Sequence, residues 1–175
     1  MSTQHALILG GARSGKSNFA EQLAIKSNKP VLYVATGQAH DDEMQTRIAH
    51  HQQQRPTSWQ LIEEPLELAK TLQQHSTPTN CILVDCLTLW LSNCLCQRNT
   101  HYWQQQKLAL LNVLETLPGQ VIFVSNEVGH GIVPLGELSR QFVDESGWLH
   151  QAIATKVQQV EFIMAGLALT LKSAQ

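Results

Sequence analysis

The chain has 175 residues, 43% of them hydrophobic and 15% charged, with a formal net charge of -2. That length buries the core of one domain, expected to span residues 1–175; the chain is too apolar for disorder and too weakly basic for a nucleic-acid-binding surface. No apolar run has the length of a membrane span and no signal-peptide pattern precedes the first strand, so the expectation is a cytoplasmic protein without membrane or nucleic-acid partners.

Ala6-Leu7-Ile8-Leu9 is short, apolar and bounded by glycine, which predicts a buried strand. It leads into Gly10-Gly11-Ala12-Arg13-Ser14-Gly15-Lys16-Ser17, a match to the phosphate-binding pattern G-x-x-x-x-G-K-[ST] at each defined position. A helix is expected to follow, with Phe19, Leu23 and Lys26 at helical spacing. The order strand, glycine loop, helix is what the chemistry requires. Glycines let backbone N–H groups close around a phosphate, and the helix turns its positive end to the same anion. Lys16 is then placed for the β- and γ-phosphates and the Ser17 hydroxyl for Mg²⁺.

Further along, Val31-Leu32-Tyr33-Val34-Ala35 reads as a strand ending at Thr36-Gly37-Gln38. Asp41-Asp42-Glu43-Met44 opens a helix expected to stop near Arg55, before Pro56. On it Met44, Ile48, His51 and Arg55 share one stripe, which turns His51 inward and His50 outward if the stripe faces the body of the protein. Through Ile62-Glu63-Glu64-Pro65 the chain reaches a helix expected over about Leu66 to His75. Cys81-Ile82-Leu83-Val84-Asp85 reads as a buried strand closed by an acid; Asp85 either helps hold Mg²⁺ or caps the next helix, and its partnership with the phosphate loop favours the metal.

Helices are expected over Leu87 to Leu95 and over Trp103 to Leu117, the latter with Leu108, Leu111 and Leu114 as its apolar face. Val121-Ile122-Phe123-Val124-Ser125 is a further strand, and the loop Asn126-Glu127-Val128-Gly129-His130-Gly131 beyond it sits where open α/β sheets collect ligands. Gly136 to about Thr155 is expected to be helical, and the tail from Val160 to Leu171 to form two strands meeting near Gly166. Alternating strands and helices predict an α/β fold with a mostly parallel sheet flanked by helices.

Cys81, Cys86, Cys94 and Cys96 have no metal or redox spacing and read as structural thiols. His5, His40, His75, His101 and His150 are scattered without ligand spacing. Trp59, Trp90, Trp103 and Trp148 read as packing residues, with Trp90 or Trp148 as alternative linings of a substrate pocket.

Three motifs in this order carry a resemblance: Gly-Gly-Ala-Arg-Ser-Gly-Lys-Ser, the Asp-Asp-Glu-Met helix running to His-His-x-x-x-Arg-Pro, and Asn-Glu-Val-Gly-x-Gly-Ile-Val-Pro. Over essentially its whole length the chain resembles the bifunctional adenosylcobinamide kinase / adenosylcobinamide-phosphate guanylyltransferase family of cobalamin biosynthesis. The resemblance implies a RecA-like P-loop fold, a homotrimer and two reactions. In the first, ATP or GTP phosphorylates the hydroxyl of adenosylcobinamide. In the second, GTP gives its GMP to an enzyme histidine, and adenosylcobinamide phosphate takes it to form adenosylcobinamide-GDP.

Carried over by motif, the resemblance makes His51, four residues before the Arg of Arg-Pro, the guanylylated histidine, with Lys16 as its catalytic companion. It implies nucleotide contacts at Gly10, Gly11, Ala12, Arg13, Ser14, Gly15, Lys16 and Ser17, at Thr36, Gly37 and Gln38, at Gln52, Gln53, Gln54 and Arg55, and at Glu63 and Asp85. Mg²⁺ would be held by Ser17 and Asp85, the latter a position where family members can carry Glu. Arg47 and Arg55 are candidates for assisting charge on the same helix, and no role falls on Ser125 or His130. Neutral imidazole, with an ordinary pKa of about 6.5, is a competent nucleophile near neutral pH. Two other readings start from the same loop: a small-molecule kinase without a covalent step, and a regulatory NTP-binding switch.

Overall fold

The computed structural model describes residues 4–38, 56–99 and 101–173. Strands β1 (Ala6–Gly10), β2 (Val31–Ala35), β3 (Gln60–Glu63), β4 (Cys81–Asp85), β5 (Gln120–Asn126), β6 (Gln159–Met164) and β7 (Leu167–Lys172) form one sheet in the order β3-β2-β4-β5-β1-β6-β7. All neighbours pair in parallel except β6 and β7, which are antiparallel. The helices are α1 (Lys16–Lys26), α2 (Leu68–His75), α3 (Leu87–Leu95), α4 (Tyr102–Val113) and α5 (Glu137–Lys156).

Strand alternation divides the core into two layers, because successive side chains point to opposite faces. Ala6, Ile8, Val31, Tyr33, Cys81, Leu83, Ile122 and Val124 face the side covered by Ala20 and Ala24 of α1. Leu7, Leu9, Leu32, Val34, Ile82, Val84, Val121 and Phe123 face the other, where α2, α3, α4 and α5 pack. Burial on both faces explains why β1 and β4 read as unbroken apolar runs.

The expected mostly parallel α/β sheet is therefore the observed one, and the tail forms the expected strand pair, turning through Ala165 (φ 52°) and Gly166 (φ 77°). Three expectations need correction. The strand β3 was not foreseen: it is four residues long and largely exposed, so it presents little hydrophobic pattern. Trp103, Leu110 and Val113 of α4 are buried, Leu114 just beyond it is buried and Leu111 packs against the core as expected, but Leu108 is 61% exposed. Of the three expected leucines only Leu108 falls off the buried stripe, and the helix gives way to a turn after Val113. Trp148 is 55% exposed rather than packed in the core, beside Lys107 of α4.

Three thiols are buried, and desolvation pushes Cys81 and Cys86 up to about 11 and Cys94 to about 12; all four cysteines are free, and Cys96 is exposed. The three buried ones are inert packing groups at neutral pH. Among the described residues no helix is long and apolar enough to cross a membrane.

His5 ties the start of β1 to the start of β5. Its Nδ1 accepts the Val121 N–H at 3.1 Å, its own N–H donates to Gln158 Oε1 at 2.7 Å, and the residue is 5% exposed. An acceptor Nδ1 has no room for a proton, and burial holds the pKa below the ordinary 6.5. The unfolded chain then takes up the proton first as pH falls. Stability is fully present above about pH 6.5 and is lost as pH falls from there towards the lower folded-state value. Denaturant midpoints measured between pH 8 and pH 5 are expected to decline below neutrality, with a shallower decline in His5→Gln, whose amide oxygen can still accept the Val121 N–H.

Candidate active site

The C-terminal ends of the parallel strands lie along one edge of the sheet, where a crevice for ligands forms in open α/β folds. Gly10 ends β1, with Asn126 of β5 as its direct pairing partner on one side and Ile163 of β6 on the other. Asp85 ends β4 opposite Ala35 of β2, which in turn pairs with Glu63 of β3. The phosphate loop, Thr36 to Gln38, Glu63 and Asp85 thus all follow or close neighbouring strands on this edge.

The loop is shaped by two glycines for different reasons. A Cβ on Gly10 would stand 2.5 Å from the carbonyl oxygen of Ile163, so β6 leaves room for nothing larger. Gly15 adopts φ 94°, a left-handed conformation that L side chains resist, and it forms the N-cap of α1. The β6–β7 turn braces the loop from behind: Gly166 N–H donates to the Ser14 carbonyl at 2.8 Å. Lys16 and Ser17 are the first residues of α1, where backbone N–H groups lack helical acceptors and favour an anion. Ser14 Oγ is buried and, among the described residues, has no hydrogen-bond partner. An orphaned hydroxyl inside a cradle of this shape suits a phosphate oxygen.

Lys16 is 9% exposed, and its Nζ donates to the Gly11 carbonyl at 3.1 Å, folded over the loop. Burial lowers its pKa, and the negative charge of Asp85 works against that shift. The ammonium is therefore held in a desolvated position facing an acid, ready to trade its carbonyl for phosphate oxygens.

Asp85 accepts a hydrogen bond from Tyr33 Oη through Oδ2 at 2.9 Å. The capping alternative fails: α3 has Cys86 at its N-cap and no side-chain cap. Thr36, fully buried, brackets the residue after Asp85, donating through Oγ1 to the Cys86 carbonyl at 2.6 Å and accepting the Cys86 N–H at 2.9 Å. Its own carbonyl accepts from Asn93 Nδ2 at 2.8 Å. Thr36 is thus a buried tie between β2, β4 and α3, whereas Gly37 is half-buried and Gln38 exposed. Glu63 is exposed at the end of β3.

The donors present suit Mg²⁺. Ser17 and Asp85 supply hard oxygen ligands, and among the described residues no group of three or more His, Cys, Asp or Glu is gathered for a metal. That fits an ion carried mainly by substrate phosphates and water, held to the protein by one or two oxygens.

His51, Gln52, Gln53, Gln54 and Arg55 lie outside the described residues, as do Arg47 and the Asp-Asp-Glu-Met segment. Trp90 cannot line a substrate pocket: it is 0% exposed, and its indole N–H donates to the Leu66 carbonyl at 2.8 Å. The loop after β5 was expected at a ligand site, but the residues behind it escaped the sequence reading. Glu127 N–H donates to the Gly10 carbonyl at 3.0 Å, which seats the loop after β5 against the phosphate loop. Behind it Ser125, His150 and Thr88 form a buried polar cluster. The position of Asn126-Glu127 after a strand was a visible signal; nothing local in the sequence joins His150 to it across a helix.

Known proteins bear on the chain at three levels. Residues 6–171 match the family model described as cobinamide kinase / cobinamide phosphate guanyltransferase. The bifunctional adenosylcobalamin biosynthesis protein CobP of Pseudomonas aeruginosa is 55% identical over 95% of this chain and 96% of its own length. The bifunctional adenosylcobalamin biosynthesis protein CobU of Escherichia coli is 35% identical over 95% of this chain and 98% of its own. Among solved structures, a KaiC-like protein of Pyrococcus horikoshii aligns with TM-score 0.52 at 13% identity, over 98% of this chain and 82% of that one. The RadB recombinase aligns with TM-score 0.51 at 16% identity, over 91% and 73%. The structural likenesses show the fold alone, RecA-like with a P-loop. Full-length matches at 55% and 35% identity, with the phosphate loop folded at the expected sheet edge, show more: the chain belongs to the cobinamide kinase / cobinamide phosphate guanyltransferase family.

Proposed function

We propose that residues 1–175 act as one P-loop unit in which the phosphate loop serves both halves of the family's activity, phosphorylating adenosylcobinamide with ATP or GTP and then passing GMP from GTP through His51 to the phosphate product. The observation that carries this reading is Lys16, buried and folded over the loop at 3.1 Å from the Gly11 carbonyl, with the charge of Asp85 acting on it.

The loop N–H groups and Ser14 Oγ hold the phosphates, and Lys16 neutralises charge on the oxygens around the bond that breaks. Ser17 and Asp85 are the residues that would hold Mg²⁺, which would supply positive charge to offset the negative charge of the phosphates. Thr36, Gly37, Gln38 and Glu63 lie along the nucleotide's side of the edge, with Gln52, Gln53, Gln54 and Arg55 assigned there by the resemblance. In the guanylyl half, an imidazole nitrogen of His51 attacks the α-phosphorus of GTP, pyrophosphate leaves, and the terminal phosphate of the corrinoid product displaces the histidine. Two displacements replace one difficult encounter between two anions. Assembly as a homotrimer and a cytoplasmic location come with the family resemblance.

The test is incubation with α-labelled GTP and Mg²⁺, followed by denaturing separation under alkaline conditions. An acid-labile label on the wild-type chain is expected, lost in His51→Asn and kept in His50→Asn. Loss of label in His50→Asn alone moves the nucleophile to His50. No label at all, with GTP bound, removes the covalent step and leaves direct transfer.

A further inference from the structure

Glu127 occupies a position that the roles above leave unused. Its backbone N–H is bonded to the Gly10 carbonyl at 3.0 Å, so its Cα lies next to the root of the phosphate loop, beyond the strand that pairs directly with β1. The side chain is 19% exposed, neither buried in the core nor free in solvent. Oε1 accepts the Gly129 N–H at 2.6 Å, and the exposed His130 ring stands 3.8 Å from the same oxygen. Oε2 faces His150 Nδ1 at 3.7 Å. A carboxylate has about four acceptor positions, so these contacts orient the group and leave capacity for a further proton.

The far side of the cluster fixes the direction of its hydrogen bonds. Asn126 N–H, which can only donate, gives to Thr88 Oγ1 at 2.7 Å. Thr88 Oγ1 and Ser125 Oγ are 3.1 Å apart, and Ser125 Oγ is 2.7 Å from His150 Nε2. If Ser125 donates to Nε2, Nδ1 carries the proton and points it at the Glu127 carboxylate. The reverse order sets a bare ring nitrogen against an anion, so the first arrangement is preferred. His150 is 7% exposed, and burial lowers its pKa against the opposing pull of Glu127, in keeping with a neutral ring. The charged pair between α4 and α5, Lys107 with Glu145 at 3.0 Å, is closed on itself and on Gln104. The chain Thr88–Ser125–His150 therefore presents one N–H to one carboxylate oxygen.

We propose that Glu127 is the general base of the kinase half-reaction, accepting the proton of the substrate hydroxyl as that oxygen attacks the γ-phosphorus, and that His150, held by Ser125 and Thr88, is its positioning residue. The proposal rests on the kinase reading above. In the step, the substrate O–H bond breaks and its proton goes to a Glu127 carboxylate oxygen. The new O–P bond forms as the bond from the γ-phosphorus to the bridging oxygen breaks, and the electron pair leaves with the nucleoside diphosphate. Glu127 then releases the proton to solvent through its exposed side. The substrate class is an uncharged alcohol, which needs such a base; a phosphate nucleophile, already ionised, does not.

The experiment measures kcat and KM for phosphorylation of adenosylcobinamide in wild type, Glu127→Gln, His150→Gln and His150→Leu, with thermal midpoints for each. Glu127→Gln keeps the shape and the acceptor for the Gly129 N–H but is no base; kcat is expected to fall about 10²-fold or more, with the KM for nucleotide within about threefold of wild type. In His150→Gln the amide can still accept from Ser125 and donate to Glu127, so its kcat is expected well above that of His150→Leu, a rescue that filling space alone does not give. A kcat for Glu127→Gln within about fivefold of wild type overturns the general-base role. Equal kcat values for the two His150 variants overturn the positioning role. If the wild-type chain binds nucleotide but does not phosphorylate adenosylcobinamide, the kinase reading itself fails and this proposal fails with it; an active wild type separates the two.

Discussion

Lys16→Ala is expected to lose both phosphoryl transfer and guanylyl transfer by about 10²-fold or more in kcat, since one well-placed cationic donor at a charged transition state is worth that much. The fold should not suffer. The Lys16 ammonium bonds the Gly11 carbonyl, and that carbonyl also accepts the Ser14 N–H at 3.3 Å, so removal leaves no orphaned acceptor. A desolvated charge disappears as well, so the thermal midpoint is expected at or slightly above that of wild type. Lys16→Arg is not a rescue, because a planar guanidinium cannot take the place of a compact ammonium in a position 9% exposed. Measuring the two half-reactions separately makes the result decisive. A common loss means that one phosphate loop serves both, as proposed. Loss of the kinase half with α-labelling of the chain intact places guanylyl transfer at a second nucleotide site and overturns the shared-site reading.

What the sequence made legible was what is contiguous in it. The phosphate loop is a run of eight residues whose conformation is set by its own glycines and by the strand and helix at its ends, so a local pattern suffices. The two-sided burial of β1 and β4 made them plain as apolar runs. Less legible were features decided by tertiary partners. The exposed strand β3 exists because β2 offers it an edge, not because its own four residues demand it. α4 is anchored at its start by Trp103, which meets Trp90 edge-on with ring centroids 5.3 Å apart; the leucine pattern, right at Leu111 and Leu114 but not at Leu108, gave no weight to that anchor. Gly10 and Gly15 were read as making room for phosphate; the structure adds that they make room for β6 and for Gly166 of the following turn, some 150 residues away in sequence. His150 joins Ser125 across 25 positions and had no local mark at all. The motif Asn126-Glu127-Val128-Gly129 was visible, but the helix that brings His150 to face Glu127 arrives later in the chain.

The core prediction with the largest effect concerns Trp90. It is fully buried on α3, packed on Trp103, and its indole N–H is spent on the Leu66 carbonyl at 2.8 Å. Trp90→Ala removes the largest class of core side chain and leaves that carbonyl only the long contact from the Cys94 thiol at 4.0 Å. The expected cost is about 3–5 kcal/mol, a large part of the roughly 5–15 kcal/mol that stabilises a domain. At about 2–4 °C per kcal/mol for a chain of this size, the thermal midpoint should fall by about 6–20 °C. Trp90→Phe keeps much of the volume but also loses the indole N–H and should cost clearly less, so the difference between the two variants reports the unfilled space alone. The same helix reaches the nucleotide edge: Asn93, one turn on from Trp90, donates to the carbonyls of Thr36 and Pro65, and Thr88 holds the Asn126 N–H. A loosened α3 therefore slackens the Thr36 tie before the sheet melts, and Trp90→Ala should raise the KM for nucleotide at temperatures where the chain is still folded. Denaturant unfolding gives the first quantity and steady-state kinetics the second. A midpoint shift with an unchanged KM would mean that Trp90 holds the core alone, and that the strand ends keep their geometry without α3.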